Sequence, residues 1–372
     1  MTPVVFAPDS FKGSIGAADA AAALAAGWAS VRPDDRAVLR PMADGGEGTV
    51  DAFAAAIDGA VRVPVTVTGP DGAAADASWL RLPATADAPR GTGVVELAST
   101  SGIELLGERR VGEDAHTLGF GEAIAAALDA GVSRLVLGIG SSASTDGGTG
   151  LLTALGARFL DASGSPIARG ARGLAALAAV DLSALRALPE GGVIVLSDVT
   201  HPLLGARGAA AVFGPQKGLD AQAVARADAG LARLAALLPA DPATEGAGAA
   251  GGTGFGLLAW GARLVAGSSE VGELVGLAEA LAGASVVVTG EGSFDGQSAA
   301  GKVPTYVAAS AATAGVAALL VAGRISEDAD VSAFAACASL SELAGSGEAA
   351  MGDPARWLHA AGAALAREIG GL

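Results

Sequence analysis

Residues 285–303 read SVVVTGEGSFDGQSAAGKV, and the rest of the chain can be read outward from them. The β-branched run at 285–289 has the composition of a buried parallel strand, and a helix is expected to open near Val303. Between them stand Glu291, Asp295 and Lys302 among glycines and small residues. In open α/β sheets, ligands sit outside the carboxyl ends of strands, where loop amides and helix N-termini are available. Two carboxylates and a lysine in such a place suit a metal-bound polyphosphate, the acids for a hard cation and the lysine for phosphate charge. An ordinary strand-to-helix connection with solvated charges would read the same way. Gly296-x4-Gly301-Lys302 approaches a P-loop, but Val303 stands where Ser or Thr would meet magnesium, and the glycines arrive after a long loop; it is a near miss.

With 372 residues the chain is long enough for two domains, each with its own core. Hydrophobic residues make up 51%, yet much of this is alanine and no run of about 20 strongly apolar residues occurs, so no membrane span is expected. The chain starts directly on a strand, without a basic leader or cleavage site. The single cysteine, Cys337, excludes a disulfide framework, and three histidines without ligand spacing argue against zinc. A net charge of −16 argues against nucleic acid or an anionic membrane as partner. A cytoplasmic α/β protein, monomer or homodimer, is expected.

In chain order, a strand at 3–7 breaks into Pro8-Asp9-Ser10-Phe11-Lys12-Gly13-Ser14 before a helix over 17–28. A strand at 38–41 is followed by Asp44-Gly45-Gly46-Glu47-Gly48 and a helix over 50–57. Glycines are costly in a first helical turn unless backbone must approach something closely. Runs at 61–67 and 78–82, separated by Gly69-Pro70-Asp71-Gly72, read as a hairpin, and 93–97 as a further strand. A helix over 120–130 and a strand at 134–138 lead into the small-residue loop 139–150, containing Gly140, Ser141, Ser142, Asp146, Gly147 and Gly148, before a helix over 151–155. Backbone amides and hydroxyls without bulky side chains suit an anion cradle. A strand at 192–196 delivers Asp198 and His201, either of which could be structural. Lys217 sits on the turn FGPQKG, a helix spans 220–238, and the glycine-rich 246–256 reads as a hinge or a close-approach loop. The βα rhythm then resumes, with helix 303–314, strands 316–321 and 336–340, and helix 354–369. The expected organisation is a Rossmann-like α/β domain with a parallel sheet from residues 1–60 and 283–372, and a mixed α/β domain, 61–282, inserted in it.

Taken together, APDSFKGS (7–14), PMADGGEGT (41–49), GIGSSASTDGGTG (138–150), FGPQKG (213–218) and TGEGSFDGQSAAGK (289–302) resemble the bacterial type I glycerate kinase family, in the family's order and over essentially the full length. The resemblance implies two α/β domains around a cleft and in-line transfer from ATP, with Mg²⁺, to D-glycerate, generally at the 2-hydroxyl to give 2-phosphoglycerate. Kinases of related small hydroxy acids, or forming 3-phosphoglycerate, are the alternatives. The chain departs from the family pattern at His116, at Ser144-Thr145, at Thr200-His201 and at Ser293-Phe294, which bears on substrate selectivity rather than reaction class. Within this frame Glu291 and Asp295 are the expected metal ligands. Asp9, Ser10, Asp44, Gly45 and Glu47 are assigned to the substrate. Gly140, Ser141, Ser142, Asp146, Gly147, Gly148 and Lys302 are assigned to the nucleotide, and Asp198, Lys12 and Lys217 to catalysis.

Overall fold

The computed structural model describes residues 3–11, 13–296 and 303–369. Its α/β chain divides into two compact units: Met1–Asp44, Asp51–Asp58 and Ala266–Leu372 form the first, Gly45–Val50 and Gly59–Val265 the second. The sequence reading placed the division at 60 and 282.

The first unit is built on five parallel strands in the order Ala336–Ser339, Ala317–Ile325, Val286–Phe294, Pro3–Pro8, Arg36–Leu39. Strands covered by helices on both faces need near-continuous apolar runs, and VVFAP and VVVT are buried throughout. Val286–Phe294 outruns its expected end at 289 and carries Gly290, Glu291 and Gly292 within the ladder. Ala317–Ile325 matches it in length, so pairing continues to Ser293 with Arg324 and Phe294 with Ile325. A Cβ on Gly290 would lie 2.0 Å from the Val321 carbonyl oxygen, and one on Gly323 2.3 Å from that of Gly292. These glycines therefore serve strand contact.

Helices Ala17–Ala29 and Pro354–Ile369 pack on one face, sharing a core of Phe6, Leu24, Trp28, Val288, Leu358 and Leu365. They touch backbone to backbone: a Cβ on Gly27 would stand 1.9 Å from the His359 carbonyl oxygen, and one on Gly362 2.2 Å from that of Leu24.

The second unit holds six strands in the order Arg263–Val265, Val193–Leu196, Arg134–Gly138, Thr92–Glu96, Ala74–Leu82, Val61–Thr68. The first four run parallel; Ala74–Leu82 pairs antiparallel with Thr92–Glu96 and Val61–Thr68 antiparallel with Ala74–Leu82, with Gly69 N–H donating to the Ala73 carbonyl (2.6 Å) to close the expected hairpin. Trp79, Phe120, Ile124, Leu135, Leu137 and Phe255 lie in its core. Helix Ala221–Ala235 starts where the Asp220 carboxylate accepts from Ala223 N–H at 2.7 Å. A short ribbon, Arg158–Leu160 with Ala179–Asp181, was not foreseen. Among the described residues no helix is long and apolar enough to cross a membrane.

Gly362→Ala sets two effects against each other. Helix propensity favours alanine by about 1 kcal/mol, whereas forcing a methyl against a fixed backbone costs about 1–3 kcal/mol. The crowding is direct contact with peptide atoms, so net destabilisation is expected. Urea unfolding should show a lower midpoint at unchanged slope; a raised midpoint would show that the helices separate freely.

Candidate active site

In the first unit the chain passes from Pro3–Pro8 to its neighbour Arg36–Leu39 on one side, and from Val286–Phe294 to Ala317–Ile325 on the other. Connections thus leave the two central strands in opposite directions, which opens a crevice at their carboxyl ends. A pocket of about 520 Å³ lies there, lined among others by Asp9, Ser10, Asp44, Glu291, Ser293, Asp295 and Arg324. Asp9 N–H donates to the Gly290 carbonyl (2.8 Å), and Asp9 Oδ1 accepts from Ser10 N–H (2.7 Å), so strand pairing and a local turn fix this carboxylate. Met42 N–H donates to the Pro8 carbonyl (2.9 Å), carrying the neighbouring chain toward Asp44. Asp9 and Glu291 keep only 9% and 8% of their surface exposed, so these pocket acids are shielded from bulk water.

Four carboxylates around one pocket form a hard oxygen donor set. Among the described residues no three His, Cys, Asp or Glu side chains gather into a metal-holding group. Mg²⁺ takes one or two protein carboxylates and completes its shell with phosphate oxygens and water. Glu291 and Asp295 fit that role. Glu47 is exposed and is not among the residues lining this pocket. Lys12 and Lys302 lie outside the described residues.

The second unit places the remaining assigned residues on two strand ends. After Arg134–Gly138 the chain enters the loop that carries Asp146, which is fully buried. Asp146 Oδ2 accepts from Thr117 N–H (2.9 Å), Thr117 Oγ1 (2.9 Å) and Gly150 N–H (3.2 Å), and Oδ1 accepts from Gly148 N–H (3.1 Å). Thr117 Oγ1 accepts in turn from Leu151 N–H at 2.9 Å. The aspartate therefore satisfies the orphan amides at the start of helix Thr149–Ala154 from within the protein.

The loop glycines are also used internally. A Cβ on Gly140 would meet Gly46 Cα at 2.5 Å, one on Gly147 the Leu234 side chain at 2.4 Å, and one on Gly45 the Leu196 carbonyl oxygen at 2.3 Å. Gly140 N–H donates to the Gly45 carbonyl (2.9 Å), so the GGEG turn packs against strand ends rather than standing open. The glycine-rich 246–256 proves to be a close-approach segment. Ala250, Gly251 and Gly252 are left-handed inside Ala249–Trp260, and a Cβ on Gly251 would fall 2.0 Å from the Ser144 carbonyl oxygen. Ser141, with φ of 59°, and Ala250, with φ of 53°, are the left-handed non-glycine residues of the described chain, one in each of the two packed segments. Ser142 Oγ links the segments by donating to the Ala250 carbonyl (3.3 Å).

Lys217 is only 2% exposed, and its Nζ donates to the Ser144 carbonyl. Burial pulls its ammonium group down to about 7, opposed by the negative charge of Asp146. Asp198 follows strand Val193–Leu196 and is half-buried, in a turn where Ser197 N–H donates to the Val265 carbonyl (3.1 Å). His201 is held by its Nδ1 at 2.9 Å from the Arg207 carbonyl oxygen and by edge contact with Phe213, a structural setting.

Sequence reading missed Glu96 and Thr117. Glu96, at a strand end and 8% exposed, accepts from Val50 N–H (3.1 Å) at the start of helix Thr49–Ala56. The acid closing the apolar run TGVVE was the available signal. His116, noted only as a departure, is 3% exposed, and burial pushes its imidazole down.

The native Lys217 value of about 7 lies below the unfolded value of about 10.4, so between these pH values the unfolded chain binds the extra proton. The energetic cost of this lysine is therefore full below pH 7 and falls as pH rises toward 10. Thermal unfolding of wild type and Lys217→Met at pH 6, 8 and 10 should show the wild type gaining on the variant between pH 7 and 10, with a flat difference below 7. A pH-independent difference would place the ammonium group in contact with solvent.

A family profile described as the glycerate kinase family matches residues 4–370. A glycerate kinase of Bacillus subtilis is 42% identical over 333 residues, covering 87% of this chain and 86% of that protein. A glycerate 2-kinase of Escherichia coli is 39% identical over 336 residues, covering 88% and 87%. The crystal structure of a Salmonella typhimurium LT2 protein described as glycerate kinase 2 superposes with a TM-score of 0.84 at 37% identity, covering 100% of this chain and 98% of its own. From the strand ends to the loops that hold them, the chain belongs to the glycerate kinase family.

Proposed function

We propose that the protein transfers the γ-phosphoryl group of ATP to D-glycerate, at the 2-hydroxyl, giving 2-phosphoglycerate. The observation that carries this reading is the pocket at the crossing of the first sheet, where Asp9, Asp44, Glu291 and Asp295 surround space enough for a metal-bound polyphosphate, in a chain related over nearly its whole length to a glycerate 2-kinase. Phosphoryl transfer asks little covalent chemistry of a protein; it needs in-line placement and neutralised charge.

Glu291 and Asp295 would hold Mg²⁺, which when bound neutralises charge on the transferring phosphates. Asp9 and Ser10, fixed by the strand end, would orient the hydroxy acid, with Asp44 beside them. Arg324 lines the same pocket and offers a fixed positive charge to an anionic group. Asp198 is the candidate base for the hydroxyl proton, Lys12 and Lys302 are candidate phosphate contacts, and Lys217 supports the loop at Ser144 from inside. Nucleotide contacts by Gly140, Ser141, Ser142, Asp146, Gly147 and Gly148 would run through whatever backbone remains accessible; of these, Gly140 and Ser141 are half-buried and the other four are buried.

Incubation with D-glycerate, ATP and Mg²⁺ should yield the ³¹P resonance of 2-phosphoglycerate, and chelation of divalent cations should stop its formation. The 3-phosphoglycerate resonance would keep the kinase and overturn the regiochemistry. Asp198→Asn should lower kcat by about two to four orders of magnitude, the usual worth of a positioned base, with ATP affinity preserved. Unchanged turnover would remove Asp198 from the chemistry.

A further inference from the structure

The pocket of the first unit has two chemically different linings. Carboxylates are one; the side chains of Phe11, Leu340, Ala350 and Met351, lining the same pocket, are the other. Phe11 and Leu340 are each 2% exposed, so they reach the pocket as parts of a packed wall, whereas Met351 is 63% exposed and stands at its rim. Glycerate is a three-carbon acid with an oxygen on every carbon, and it gains nothing from an apolar wall. At about 520 Å³ the pocket also exceeds the need of so small an acid and falls in the range of about 300–1,000 Å³ that encloses larger organic ligands. A nucleoside triphosphate matches both linings at once, with an anionic tail for metal-loaded carboxylates and a flat heteroaromatic ring for aliphatic and aromatic side chains.

A second observation points the same way. The glycines of the loop that resembles a phosphate cradle in sequence are filled by protein: the Cβ positions of Gly140, Gly147 and Gly148 meet Gly46, Leu234 and Gly256 at 2.5, 2.4 and 3.3 Å. Their smallness is explained without a bound nucleotide. We infer that the apolar side chains lining the first unit's pocket bind the purine ring of the phosphoryl donor, so that this one cavity receives the donor from base to metal-bound phosphates. The identity of the donor rests on the kinase reading above. Ser341, half-buried beside Leu340 and within 3.0 Å of Ser339 Oγ, supplies a hydroxyl for the ring edge.

The test is calorimetric titration of ADP and of pyrophosphate, each with Mg²⁺, into wild type, Met351→Glu and Ser341→Trp. Met351 is exposed, so its variant retains the fold. ADP should weaken by about tenfold or more in both variants while pyrophosphate stays within about twofold, because only the base contacts the altered wall. ADP affinity unchanged in both variants, or no ADP binding by the wild type, would overturn the inference. Loss of ADP affinity without any phosphoglycerate formed by the wild type would leave the purine site standing and remove the glycerate reading. Normal glycerate phosphorylation by both variants at unaltered KM for ATP would do the reverse.

Discussion

The first unit depends on one pairing, the parallel ladder between Pro3–Pro8 and Val286–Phe294. It joins segments from opposite ends of the chain, and Thr289 Oγ1 reinforces it by donating to the Ala7 carbonyl at 2.8 Å. The register sets Pro8 against Gly290, so Asp9 emerges beside Glu291 at the same sheet edge. A slip of one residue would send each side chain to the opposite face of the sheet. The acidic pocket therefore follows from strand register, and the apolar runs that bury these strands also aim the carboxylates.

Much of this was legible in the sequence. The strand at 134–138 and the helices at 303–314 and 354–369 have the bounds expected from their periodicity, because continuous apolar runs and clean polar flanks leave one reading. The run 286–294 was cut short because Gly-Glu-Gly carries turn chemistry; only the partner strand, crowding Gly290 at the Val321 carbonyl, shows why glycine is required there. Short elements such as Arg158–Leu160 have too few residues to establish a period.

The candidate site was legible in residue type and less so in role. Asp9, Asp44, Glu291 and Asp295 were singled out in three separate motifs, and the fold brings them to one pocket. Asp146 and Lys217 were also singled out, but burial cannot be read from a charged letter. Asp146 spends its oxygens on backbone amides and the Thr117 hydroxyl, and Lys217 donates to a backbone carbonyl. Glycine is ambiguous in the same way: a missing Cβ makes room for a ligand or for a neighbouring chain, and the letter is identical.

The pairing of the two chain ends also bears on biosynthesis. The atoms joined by Thr289 and Ala7 lie 282 residues apart, so the N-terminal strand leaves the ribosome long before its central partner exists. The second unit, contained within residues 45–265, has its whole sheet available earlier. Non-local parallel pairing is slow to form and leaves strand edges open meanwhile. During each round of translation Pro3–Pro8 can pair early with Arg36–Leu39, but its other edge, the one that Val286–Phe294 will cover, must wait open while the intervening unit condenses.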